Sequence, residues 1–87
     1  MEVSMTQSVR SASQLGNLVC EERLRRSLSQ RALADLAGLG QKTISQVENG
    51  SEGATLETIF RLLAVLNLAI SFSPRDIGVG RSVGDVF

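Results

Sequence analysis

Gln41, Lys42, Ser45 and Gln46 place two carboxamides, a hydroxyl and an ammonium within six positions, with no carboxylate among the four. On a helix of about 3.6 residues per turn these side chains fall on one side, opposite Ile44 and Val47. A glutamine amide matches the paired donor and acceptor of adenine, and a lysine ammonium matches the acceptors of guanine. Such a face is therefore equipped to meet base edges in a DNA major groove. Taken in isolation, four polar residues would be an ordinary solvated helix surface. What separates the two interpretations is the scaffold that has to present them.

That scaffold is legible in Gln30 to Val47, QRALADLAGLGQKTISQV, which reads as two short helices joined by a tight turn. Ser29 stands at an N-cap position, where its hydroxyl can accept from an unpaired first-turn amide. The following helix sets Leu33, Leu36 and Ala37 on one side, and Gly38 can adopt the left-handed conformation that closes a helix. Leu39-Gly40 completes a connection of the length a helix-turn-helix requires. Ala34 is small where the two axes must approach, and Ile44 and Val47 form the apolar underside of the second helix.

Composition sets the outer limits. At 87 residues the chain has length for one domain, and its core is small enough to gain from a partner. Its 43% hydrophobic content includes three phenylalanines and neither tryptophan nor tyrosine, which suits a small helical bundle. One cysteine, Cys20, and no histidine remove disulfide frameworks, multi-ligand zinc sites and histidine-based catalysis. Cys20 lies in a helical pattern beside Val19 and reads as an inert, at least half-buried thiol. Glu21 and Glu22 diverge on their helix, so no pair of carboxylates assembles a catalytic site, and neither an enzyme, a cofactor nor a metal is expected. A net charge of zero argues against non-specific coating of nucleic acid, although through Gly50 six basic residues face five acidic ones. With no spanning apolar run and no signal-peptide pattern, a soluble, cytoplasmic and nucleoid-associated protein is expected.

Three segments follow along the chain. Residues 1–12 are polar and read as a flexible arm, with Met5 an alternative initiator. Residues 13–73 form the DNA-binding and dimerisation domain, and residues 74–87, with three glycines, form a flexible tail ending in the apolar pair Val86-Phe87. Within the domain, a first helix from about Ser13 to Arg26 carries Leu15, Leu18, Val19 and Leu24 inward, and Leu28 anchors the loop that follows. Glu48, just past the polar face, would repel phosphates if it pointed outward. It is expected to turn inward to a cation, with Arg23 on the first helix as its partner.

Thr55 caps a helix running to about Leu66 whose apolar residues exceed one face, leaving Glu57 and Arg61 as its polar stripe. A second face is thus expected against another chain. Leu68 to Ser73 alternates with period two before Pro74 and reads as a strand. Its unpaired edges are most simply satisfied by the same strand of a second copy, giving a homodimer with Phe60, Leu63, Leu68, Ile70 and Phe72 at the interface, the alternative being an extended tail that packs its three apolar side chains locally.

The residues Leu15-Gly16, Arg23, Leu28-Ser29-Gln30, Leu33-Ala34, Gly38, Thr43-Ile44-Ser45 and Glu48-Asn49-Gly50 carry a resemblance to the phage-repressor or Xre group. It covers about Leu15 to Leu66. Within that group, GLGQKTISQVENG followed by ATLETIFRLLAVLNLAISFS looks most like the HipB-type antitoxins. The resemblance implies an all-α, five-helix lambda-repressor-like domain whose C-terminal β-strand pairs across the dimer. It further implies that Gln30 contacts the phosphate backbone, that Thr43 lies near a phosphate, and that Arg23 and Glu48 pair inside the domain. Gly40 departs from the polar or basic residue often found there, so any contact from that position is lost. A HipB-like antitoxin would bind and neutralise a HipA-like serine/threonine kinase toxin encoded beside it and repress their shared promoter. The functional expectation is a repressor dimer on palindromic double-stranded operator DNA. A free-standing Xre-type regulator and a protein-interaction module without DNA binding are the alternatives.

Overall fold

The computed structural model describes residues 8–72 and residue 74, and within them the chain forms four helices. These are α1 (Ala12–Arg25), α2 (Gln30–Ala37), α3 (Gln41–Glu48) and α4 (Leu56–Val65). Serine and threonine hydroxyls start three of them. Ser11 accepts from the Gln14 amide, Ser29 from that of Ala32 and Thr55 from that of Thr58. Helix α1 therefore begins slightly before the expected Ser13, because Ser11 takes the cap and the Gln14 side chain returns a bond from the Arg10 amide.

One device ends all four helices. The residue after the last turn is left-handed in each case, at Ser27, Gly38, Gly50 and Asn67. The next amide then bonds back to a carbonyl five residues earlier: Leu28 to Arg23, Leu39 to Ala34, Ser51 to Gln46 and Leu68 to Leu63.

The core is assembled from Val19 of α1, Leu33, Ala34 and Ala37 of α2, Ile44 and Val47 of α3, and Ile59, Leu62 and Leu63 of α4, with Leu66 after it. Helix α3 packs on both α1 and α2, and α2 also packs on α4. Leu15, Leu28, Leu39, Val65 and Leu68 close over this cluster from the side. The approach of α1 to α3 depends on Gly16. A Cβ there would fall on the Val47 carbonyl oxygen and lie 2.9 Å from that of Glu48.

Several expectations are corrected. Leu36 is 63% exposed rather than inward. At about 100° per residue, the stripe centred on Leu33, Ala34 and Ala37 leaves Leu36 about 100° away from its middle. Leu24 of α1 is likewise exposed. Leu63, expected at a subunit contact, is spent on the chain's own core, whereas Phe60 at 53% and Phe72 at 93% stand exposed. Neither a fifth helix nor a strand occurs among the described residues. Leu68 to Phe72 have no regular structure, no neighbouring strand among the described residues offers them a ladder, and Ser73 lies outside those residues. The expected arm over residues 1–12 and the tail over residues 74–87 also fall largely outside them. Among the described residues, no helix is long and apolar enough to cross a membrane.

Candidate nucleic-acid interface

Helix α3 seats itself through two side chains. Ile44 is fully buried and Val47 nearly so, which fixes the rotation of the helix about its own axis. Gln41, Lys42 and Gln46 are consequently exposed, and Ser45 and Thr43 are half-buried at the margins of the same face. The four residues singled out for base contact are thus brought together on one outward surface. No side chain caps the N-terminus of α3, whose cap position is Gly40. The Thr43 and Ile44 amides bond back to the Gly40 carbonyl oxygen, which leaves those of Gln41 and Lys42 as the ones suited to an acceptor from outside.

Behind this face lies a buried polar network. Arg23 Nε donates to Glu48 Oε2 at 2.6 Å, and its Nη2 donates to Glu48 Oε1 at 3.0 Å. The same guanidinium reaches the Leu28 carbonyl oxygen through Nη1 at 2.9 Å. One side chain of α1 thereby holds both the loop leading into α2 and the last residue of α3. Cys20, half-buried, lies 3.7 Å from Arg23 Nη2 through its sulfur.

Burial opposes ionisation of Glu48, but hydrogen bonds from Arg23 and Gln30, together with the Arg23 charge, outweigh it and hold the carboxyl below its ordinary value. The hydrogen bond to Glu48 correspondingly raises Arg23, against the cost of burying it. With each charge answered by the other, no buried side-chain nitrogen or oxygen among the described residues lacks a partner.

Two features were not anticipated from sequence. Gln30 is half-buried, and its Nε2 donates to Glu48 Oε1 at 3.1 Å, so the residue assigned by resemblance to a phosphate also belongs to the internal network. Gly16 is the second, and here a signal was available. Gly16, Val19 and Arg23 recur at helical spacing on the buried side of α1, marking a position where a backbone must come close. On the far side of the motif, Arg61 of α4 donates to the Gly38 carbonyl oxygen at 3.4 Å and to Glu57 at 3.0 Å, bridging α4 to the turn.

A family model described as helix-turn-helix matches residues 21–72. The curated protein Antitoxin HipB of Escherichia coli (strain K12) is 35% identical over 65 residues, spanning 75% of this chain and 74% of that protein. Among solved structures, a HipA-HipB-O2-O3 complex superposes with a TM-score of 0.74 at 33% identity, covering 79% of this chain and 97% of the other. A HipB-O4 20mer complex gives the same TM-score and identity over the same shares. The restriction-modification controller protein C.AhdI from Aeromonas hydrophila follows at a TM-score of 0.62 and 31% identity, covering 67% of this chain and 88% of that one.

Proposed function

Since this chain belongs to the helix-turn-helix family and has HipB antitoxin as a relative, we propose that it is a DNA-binding repressor serving as the antitoxin of a HipBA-like pair. The observation that carries the proposal is the presentation of Gln41, Lys42, Ser45 and Gln46 on the outer side of a helix whose rotation is fixed by Ile44 and Val47. The HipB complexes that this chain resembles include one with HipA and one with an O4 20mer, which supports both a toxin and a nucleic acid as partners. The toxin is a HipA-like serine/threonine kinase, neutralised by binding, and the chain itself catalyses nothing.

The working unit is a homodimer. Phe60 on α4 and Ile70 and Phe72 after it form an apolar surface that the other described residues leave exposed. Leu68 to Ser73 pair with their counterparts across the twofold axis, supplying a strand partner not found among the described residues. Leu68, half-buried at the edge of the core, starts that strand. Each subunit then sets one α3 into successive major grooves of a palindromic site, with Gln30 and Thr43 at the flanking phosphates. This unit operates in the cytoplasm on the nucleoid.

Co-purification with the product of the adjacent gene, followed by a gel shift on the DNA upstream, tests both halves. Capture of a kinase-like partner and a single shifted species are expected. Failure to shift any upstream fragment at low salt, where phosphate contacts are strongest, removes the repressor. A second functional assignment, a free-standing regulator, is favoured by the likeness to a restriction-modification controller protein. It prevails if the upstream DNA is bound but no toxin is encoded alongside.

A further inference from the structure

The contact between Gln30 and Glu48 goes beyond an ion pair that braces the fold. We infer that Glu48 is a positioning residue for DNA binding, fixing the Gln30 carboxamide so that an N–H points outward to the phosphate backbone. The inference rests on the DNA-binding assignment above and adds a specific division of labour to it.

The geometry leaves little choice. An ionised carboxylate can only accept hydrogen bonds, so Gln30 must turn its amino group, not its carbonyl oxygen, toward Glu48. The observed bond runs from Nε2 to Oε1 at 3.1 Å. Both carboxylate oxygens are already anchored by Arg23, which in turn is held by the Leu28 carbonyl oxygen two residues before Gln30. The acceptor is therefore rigid. Gln30 is the first residue of α2, half-buried, so one amide hydrogen is committed inward while the second diverges from it. A free glutamine would present its oxygen to a phosphate as readily as its nitrogen, and the oxygen would be repelled. Arg23 has a second consequence: by neutralising Glu48 it keeps a carboxylate from opposing the DNA backbone close by.

A double-substitution cycle, read by gel shift on a duplex of the DNA immediately upstream of the gene, tests this. Gln30→Ala alone is expected to weaken binding about tenfold, the value of one hydrogen bond to a charged group. In a Glu48→Gln background, where the facing group can donate as well as accept and the Gln30 nitrogen faces outward only about half of the time, the same change is expected to weaken binding by only about fivefold. A full tenfold loss in both backgrounds would reduce Glu48 to a structural brace while leaving DNA binding intact. Absence of binding by the parent would instead remove the DNA-binding assignment. If Glu48→Gln fails to fold, the parent still decides by nuclear magnetic resonance. The side-chain amide protons of Gln30 are expected to exchange with water more slowly than those of Gln41 and Gln46. Equal exchange at all three glutamines would overturn the inference.

Discussion

Arg23 and Glu48, 25 residues apart in sequence, meet through two hydrogen bonds with their side chains about one-tenth exposed or less. The pair joins α1 to the C-terminal end of α3 and does so away from water. Desolvating two charges offsets most of their attraction, so the pair adds little net stability compared with two apolar residues. Its value is geometric, and removing one member leaves the other charge stranded.

Arg23→Ala or Glu48→Ala alone is expected to cost about 3–5 kcal/mol, whereas Arg23→Met combined with Glu48→Leu recovers most of that loss. Urea unfolding of the three variants checks it. Equal losses in the single and double variants would mean that the pair is a source of stability in its own right.

Stability is expected to fall in acid through Glu48. Its folded value lies below the ordinary 4.5, so the stabilisation is complete above about pH 4.5 and is lost as pH falls through the depressed value. Arg23, raised, stays protonated throughout. Because other carboxylates also titrate, the informative quantity is the difference between parent and Glu48→Gln. Urea midpoints at pH 7, 5 and 3 should converge toward the lowest pH, and a constant gap would contradict the assignment.

Gly16→Ala is expected to be more disruptive than a single methyl suggests. The new carbon lands on the backbone of α3 at Val47, which cannot rotate away as a side chain would. A loss of about 1–3 kcal/mol or more is expected, with weakened DNA binding because α3 must shift outward. Unfolding together with a gel shift reads both. A neutral substitution would show that α1 and α3 are not held at this separation.

Gln41→Ala and Gln46→Ala are each expected to relax base preference by about 1–3 kcal/mol. Lys42→Ala should weaken binding and, where it meets a phosphate, reduce the salt slope by about 1. Titrations of operator and scrambled duplexes at several salt concentrations separate these effects. Three variants indistinguishable from the parent would transfer base reading to another surface.

The motif was legible because its determinants are local. Ser29 caps its own helix, Gly38 closes it, and Ile44 and Val47 sit at a spacing that only one helical face accommodates. Arg23 and Glu48 could be matched from afar because a lone acid beside a polar face free of other carboxylates demands a cation. Leu36 was misjudged because apolar character fixes neither the centre nor the width of a buried stripe, and neighbouring helices decide both. Leu63 was misjudged similarly. On a helix apolar almost all round, sequence cannot divide side chains between a chain's own core and another's. The Gln30 contact escaped notice since an amide has no charge or periodicity to announce its partner.

The Arg61 bridge to the Gly38 carbonyl oxygen joins the turn of the motif to the same helix that carries Phe60. Whatever clasps that helix is coupled to α3 through α2, which packs on both around one core, with the Arg61 contact a supplement at the surface. Two subunits joined there would behave as callipers of set opening, measuring the separation of the operator halves instead of accommodating it.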